Sequence, residues 1–195
     1  MKNVVFVLGN GDSRLSIDLK YLREYGKIFG CNALYRDFSP DVLISVDDRM
    51  TTEIINSGYE GVHYHRILRK NRDKDNAYLV VDKNDRKITT SRGFSSGALA
   101  LDIAANEAQI KEVYMLGFDL YKTEHPNNVY KDTPNYIRST DRPVDASGFR
   151  LQIGRVIKEN PTRKFIWVND YHRKIFDAQN FDLMYIEEFK QKFKA

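Results

Sequence analysis

Four short stretches combine small, polar and acidic residues in ways that could do chemistry. In Gly9-Asn10-Gly11-Asp12-Ser13, two glycines and three hydrogen-bonding side chains follow an apolar run. Glycine there lets backbone amides approach a phosphate or ribose, and a helix start adds unpaired N–H groups with partial positive charge. The third glycine of a dinucleotide fingerprint is missing, as is the Gly-Lys-Ser/Thr of a P-loop. A tight strand-to-helix turn with Ser13 as N-cap accounts for the stretch equally well. Ser95-Ser96-Gly97, ahead of an alanine-rich run, has the same logic: two hydroxyls and several free amides for an anionic group, or an ordinary cap. Asp47-Asp48 closes a second apolar run and could position a metal, a ribose or an acceptor hydroxyl, or cap the next helix. No third carboxylate stands near it in sequence, which argues against a metal. Asp119 ends a further apolar run in an acidic turn.

The remaining reactive side chains are sparse. His63 and His65 alternate on an expected strand and so share one face, which suits a two-histidine metal site or a structural role. His125 lies in a long polar segment and could act as acid or base. His172 follows the last core strand, where a surface role is expected. Cys31, the one cysteine of the chain, reads as a small buried hydrophobe; no Cys-His-Asn order recommends it as a nucleophile.

These residues need elements to hold them. Asn3–Leu8, Lys27–Cys31, Asp41–Val46, Gly61–His65, Glu112–Asp119 and Phe165–Val168 are apolar or β-branched runs that read as strands. Leu15, Leu19 and Leu22 recur at helical spacing, a helical stretch is expected over 51–56, and another over Ala98–Gln109. A terminal helix is expected over Ile186–Phe193. Ala77–Val81 and Arg86–Thr90 flank Asp82–Asp85 as a hairpin or two edge segments. Strands alternating with helices predict a single α/β domain over residues 1–195, built on a mostly parallel, Rossmann-like sheet flanked by helices. Ligands in such sheets bind beyond the carboxyl ends of the strands. Gly9-Asn10-Gly11, Asn32, Asp47-Asp48 and Gly117-Phe118-Asp119 all fall at those ends. The polar stretch from Tyr121 to Ser147 carries Pro126, Pro134 and Pro143 without periodicity, and reads as a lid or a disordered segment.

The 195 residues fit one domain, and a chain this long needs no disulfide or metal to fold. A single cysteine fits a reducing compartment, so a cytoplasmic protein is expected. No apolar run approaches the ~18 residues of a membrane helix, and the opening strand is too short for a signal peptide. Lys and Arg total 31 against 27 for Asp and Glu, a net charge of +4. The densest basic stretch, Arg66 to Lys74, could face an anion but reads equally as a solvated loop or helix end. Without a zinc-finger pattern or an aromatic-basic RNA-binding signature, nucleic acid is not an expected partner. A homo-oligomer is left open.

In order, Val-Leu-Gly-Asn-Gly-Asp-Ser13, Gly-Cys-Asn32-Ala-Leu-Tyr35, Ser95-Ser-Gly-Ala-Leu-Ala100 and Val-Tyr-Met-Leu-Gly-Phe-Asp-Leu-Tyr121 resemble the bacterial sialyltransferases of glycosyltransferase family 42. That family carries a Gly-Asn-Gly-Pro-Ser loop, a Cys-Asn pair, a Thr-Ser-Gly helix start and a Gly-Ile-Asp-Phe-Tyr strand end. The likeness covers about the first two-thirds of the chain. It implies transfer of a sugar from a CMP-linked donor to an acceptor hydroxyl on a glycan, with no metal or other cofactor. Hydroxyls, rather than Mg²⁺, would then offset the charge of the departing phosphate. Asn10 and Ser13 would face the donor's phosphate and sugar, Asn32 the nucleotide, and Ser95, Ser96 and Gly97 the donor again. Tyr121 would help CMP leave, with Tyr130 or Tyr136 as second tyrosine.

Two departures stand out. The family's arginine before Thr-Ser-Gly is replaced by Gly93, with Arg92 one residue early. The family's histidine base has no counterpart in Ser139–Asp145, leaving His125, or more weakly Asp141 or Asp145. Losing a positioned base typically costs about 10²–10⁴ in rate. The family's C-terminal membrane-associating extension has no counterpart either, so a soluble protein is expected. The alternatives are a nucleotide- or glycan-binding protein without turnover, and a Mg²⁺-dependent pyrophosphoryl transferase of the pterin kinase type using Asp47 or Asp48.

Overall fold

The computed structural model describes residues 3–67, 78–91 and 93–195. The basic stretch therefore lies outside them from residue 68 onward, as do Ala77 and Arg92.

Apolar residues alternate across each central strand and are buried on both faces, as parallel strands demand. In β1 (Val4–Leu8), Val5 and Val7 enter one core and Phe6 and Leu8 the other. Eight further strands complete one sheet: β2 (Lys27–Cys31), β3 (Val42–Ser45), β4 (His63–Ile67), β5 (Tyr78–Val81), β6 (Lys87–Ser91), β7 (Glu112–Leu116), β8 (Lys164–Val168) and β9 (Phe181–Met184). Their spatial order is β6-β5-β4-β3-β2-β1-β7-β8-β9. The seven strands from β4 through β1 to β9 run parallel, while β5 and β6 add an antiparallel edge. β1 is thus central: the chain runs from it through β2 to β6 on one side, then crosses back through α2 to β7 on the other. That is the switch point at which such sheets open a crevice.

Four α-helices cover the faces: α1 (Asp48–Asn56), α2 (Ser96–Ala105), α3 (Ser147–Glu159) and α4 (Ile186–Phe193). α2 and α3 share one core with Val5, Val7, Phe165 and Trp167. On the other face α1 and α4 pack with Phe6, Leu8 and Tyr114, where Phe189 and Phe193 surround the Phe6 and Tyr114 rings.

The helix expected from Leu15, Leu19 and Leu22 is instead two short 3₁₀ segments, Asp12–Ser16 and Leu19–Glu24. Leu19 and Leu22 are buried but Leu15 is 64% exposed, so the spacing did not describe one buried face. α2 ends at Ala105, short of Gln109, because Asn106 folds its side chain back on the Asp102 carbonyl and Gln109 adopts a left-handed φ of 67°. The strand expected to run to Asp119 stops at Leu116, where Gly117 takes a φ of 68° and turns the chain.

Residues 121–146 form no helix or strand, yet they are neither free nor open. The segment is strapped to the body. Val129 N donates to Asn10 O, Lys131 Nζ binds Asp12 Oδ2, Arg36 Nη1 donates to Thr133 Oγ1, and Asn135 Nδ2 donates to Glu53 Oε2. Among the described residues no helix is long and apolar enough to cross a membrane.

Candidate functional site

The carboxyl ends of β1, β2, β3 and β7 and the N-terminus of α2 enclose one cavity of about 340 Å³, at the small end of the range for ligand sites. Gly9, Asn10, Gly11, Asn32, Asp47, Ser95, Ser96, Gly97 and Asp119 all line it. Gly11 and Gly97, far apart in sequence, therefore share a chamber.

The glycines of the first turn do a different job from the one expected. Gly9 N donates to Leu116 O and Gly11 N to Gly117 O, both at 2.8 Å. Asp12 N is taken by Asn127 Oδ1 and Ser13 N by Asp119 Oδ2. Four amides that could have cradled a phosphate are thus committed to holding β1, β7 and the strap together. Glycine is needed because the two strand-end turns nearly touch, and a Cβ at Gly11 would stand 2.8 Å from Gly117 O.

The element that brings free amides to the cavity is the start of α2. Ser95 has extended φ and ψ and its N–H goes to Gln152 Oε1 of α3. Ser96 Oγ accepts from Val46 N, fixing the helix to the end of β3. The next amides, of Ser96, Gly97 and Ala98, have no carbonyl four residues back within the helix and head it where it lines the cavity.

Asn10 and Asn32 supply the acceptors. Asn10 is 9% exposed, and its Nδ2 donates to Cys31 O and Tyr136 OH, which fixes the orientation of its amide. Its Oδ1 is buried without a partner, and so is Asn32 Oδ1. Asn32 sits at a φ of 54°, a left-handed conformation that asparagine tolerates better than most residues. Both residues line the cavity, and an orphaned buried acceptor costs about 1–3 kcal/mol, so a small side-chain rotation toward a ligand O–H or N–H would relieve each oxygen.

Two carboxylates line the cavity with different standing. Asp119 Oδ2 accepts from Ser13 N and Oδ1 from Asn169 Nδ2, so its oxygens are committed. Asp47 is exposed and has no side-chain hydrogen bond or ion pair among the described residues. Tyr136 also lines the cavity. Its hydroxyl accepts from both Asn10 Nδ2 and Ala33 N at 3.2 Å, which leaves its own proton for another partner. Burial pushes the Tyr136 phenol above its ordinary range, and the nearby Cys31 adds to the shift, so the group stays protonated.

Other expected residues fall outside the cavity wall. Tyr130 is buried with its hydroxyl donating to Asp37 Oδ1 and accepting from Arg14 Nη2, holding the strap to the body behind the wall. Tyr121 stacks on Tyr171 at 4.5 Å, with Asn169 and Asn127 near its hydroxyl, and burial raises its phenol. Ser13 buries an unpartnered Oγ behind the cavity. His125 is exposed and does not line it. Asp141 caps Arg138 N, and Asp145 caps Ser147 N. Burial raises the Cys31 thiol to about 12, in keeping with an inert small side chain. His63 and His65 do share a face, with ring centres 5.3 Å apart, but the Nε2 of His63 bonds Ser45 Oγ away from the cavity. Among the described residues no three His, Cys, Asp or Glu side chains are grouped to hold a metal.

Sequence reasoning did not single out Leu120, Asn127, Asn128, Phe149 or Ile153 of the wall. Asn127-Asn128 was legible only as a polar pair within a loop. Ile153, Val156 and Ile157 carried a 3.6-residue period that could have revealed α3.

The chain matches no family model, no curated protein and no solved structure.

Proposed function

We propose that the protein is a metal-independent glycosyltransferase that uses a nucleotide sugar, a CMP-linked one first, and an acceptor hydroxyl on a glycan. The observation that carries this reading is that two asparagines with unpartnered side-chain oxygens and the N-terminus of α2 line one strand-end cavity. The α2 amides suit the donor's phosphate. The Asn10 and Asn32 oxygens suit hydroxyl or amino groups of its sugar and base, because a carbonyl oxygen cannot donate to phosphate. The resemblance to family 42 supplies the cytidine and the sugar, and a sialic acid is only its first candidate because Gly93 replaces the family's arginine. The single, buried free Cys31 is compatible with the cytoplasmic setting that this reading expects.

In the reaction the acceptor oxygen bonds to the anomeric carbon as the bond from that carbon to the phosphate oxygen breaks, its electron pair leaving with CMP. The acceptor proton passes to the Asp47 carboxylate. Tyr136 donates its free proton in a hydrogen bond to the departing phosphate, the kind of hydroxyl assistance that replaces a metal.

A reading without turnover is favoured by one observation: among the described residues no histidine, lysine or arginine lines the cavity. A Mg²⁺-dependent pyrophosphoryl transfer would have to use Asp47 and Asp119, and Asp119 is already committed. Thermal shifts with CMP, UMP, AMP and GTP, each with and without Mg²⁺, rank these readings. The transferase requires a shift with CMP that ignores Mg²⁺, followed by CMP release from a CMP-sugar. CMP binding without release leaves the binder, and a shift that demands Mg²⁺ with a purine triphosphate overturns both.

A further inference from the structure

Beside the nucleotide cavity lies a second hollow of about 480 Å³, between the strap and the first turn of α3, whose wall includes Lys122, Arg142, Val144, Asp145 and Arg150. The two chambers share a partition. Arg150 Nη1 donates to Leu120 O at 2.8 Å, and Leu120 lines the first cavity. Phe149, the neighbour of Arg150, also lines the first cavity and is 39% exposed.

The charges in the hollow are unbalanced. Three cations face one carboxylate, and that carboxylate is engaged: Asp145 Oδ1 accepts from Ser147 N and Oδ2 from Ser147 Oγ. Lys122 and Arg142 are exposed and make no hydrogen bond or ion pair among the described residues. Arg150 spends one guanidinium N–H on Leu120 O and keeps the others, in the planar fork that matches carboxylate, phosphate or sulfate oxygens. Like charges gathered around one concavity repel one another and focus a positive field into it. Val144, 61% exposed, and Pro143 put apolar surface beside the cations, as a sugar ring attached to an anion would need. By contrast, no basic side chain among the described residues lines the first cavity.

We infer that this hollow is an anion subsite that takes a sugar carrying a carboxylate, phosphate or sulfate. Calling that sugar the acceptor rests on the transferase reading; the subsite itself does not. Its position next to the first cavity, across Leu120, places the anionic sugar beside the proposed donor.

The test is a titration of the labelled protein, followed by NMR, with glucuronate, glucose 6-phosphate, glucose 6-sulfate and neutral glucose, before and after saturation with CMP. At least one anionic sugar, but not glucose, perturbs Lys122, Arg142 and Arg150, with or without CMP, and comparison of the three identifies the anion. The doubly substituted K122A/R142A protein binds that probe about tenfold or more weakly, with CMP binding unchanged, whereas K20A on another exposed segment binds it normally. Equal affinity in K122A/R142A, perturbation confined to Ser96–Ala98, or an equal response to glucose overturns the subsite. Failure of CMP to bind, with the anionic sugars still seated at Arg150, overturns the nucleotide reading alone.

Discussion

Gly9 and Gly117 interlock. Gly9 N bonds to Leu116 O, Gly11 N to Gly117 O, and a Cβ built on Gly117 would stand 2.7 Å from Gly9 O. Gly117 also holds a φ of 68°. Substitution of Gly117 by alanine therefore combines strain with overpacking and is expected to destabilise by roughly 2–4 kcal/mol. Gly148, in the first turn of α3, has nothing within 4 Å of its Cβ position. Gly148→Ala should be neutral or stabilise by up to about 1 kcal/mol. Urea unfolding of the two variants measures the contrast, and equal stabilities would refute the close approach of the two turns.

Tyr136→Phe tests the hydroxyl that joins strap, turn and cavity. Its loss leaves Ala33 N without an acceptor and releases Asn10 Nδ2 from one of two partners. A destabilisation of about 1–3 kcal/mol is expected, together with weaker CMP binding as the Asn10 amide loses its fixed orientation. Tyr130→Phe, by comparison, should cost stability through Asp37 and Arg14 while leaving CMP affinity near the parent value, because Tyr130 does not line the cavity. Calorimetric titration of the two variants distinguishes the roles.

The central sheet was legible because its strands are continuous apolar runs cut by glycine or acidic residues, and burial on both faces leaves no other arrangement for them. Those same cuts located Gly9, Asn10, Gly11, Asn32, Asp47 and Asp119 at the cavity, and the start of the alanine-rich helix located Ser95, Ser96 and Gly97. What the pattern could not convey is how each group is employed. The amides of Gly9-Asn10-Gly11 read as ligand-facing, but the neighbouring β7 turn, distant in sequence, claims those of Gly9 and Gly11. Tyr130 and Tyr136 are indistinguishable in sequence. Only the path of a nonrepetitive strap sends one to Asp37 and the other into the cavity. β9 was missed because it is a four-residue edge strand, and α3 because Gly148 and Gly154 dilute its helix propensity.

The buried histidine pair gives the fold a pH dependence. Burial, with the neighbouring His65, lowers His63 from 6.5 to about 4, and burial also lowers His65 despite Asp82 and Asp85 nearby. The unfolded chain then binds protons that the folded chain refuses. Stability is full above pH 6.5, falls as pH drops toward 4, and levels below it; His63 alone accounts for about 3 kcal/mol over that window. Guanidinium unfolding at pH 7 and pH 4.5 should give this fall, and His63→Asn, which keeps a polar partner for Ser45, should reduce it.

Cys31 offers a readout of the same core without mutation. Its thiol lies buried between β1 and β2, with Sγ 3.5 Å from Leu8 O, and burial raises it to about 12. Thiolate is the reactive form, so iodoacetamide at pH 8 should leave the native protein unmodified and label it on unfolding. Labelling of the native protein at the rate of a free thiol would contradict the packing at the end of β2.

Asp47→Asn separates binding from chemistry. The side chain is exposed at the cavity wall with no hydrogen bond or ion pair among the described residues, so its amide isostere should leave folding intact. Asparagine can still hydrogen-bond a ligand but cannot take a proton. Under the transferase reading, CMP affinity should change by less than about threefold while turnover falls by about 10²–10⁴. If Asp47 instead held a metal, the variant would lose nucleotide affinity in Mg²⁺ and keep it in EDTA. If Asp47 is only a solvated side chain at the start of α1, neither affinity nor turnover would move, and the proton would have to leave through another group.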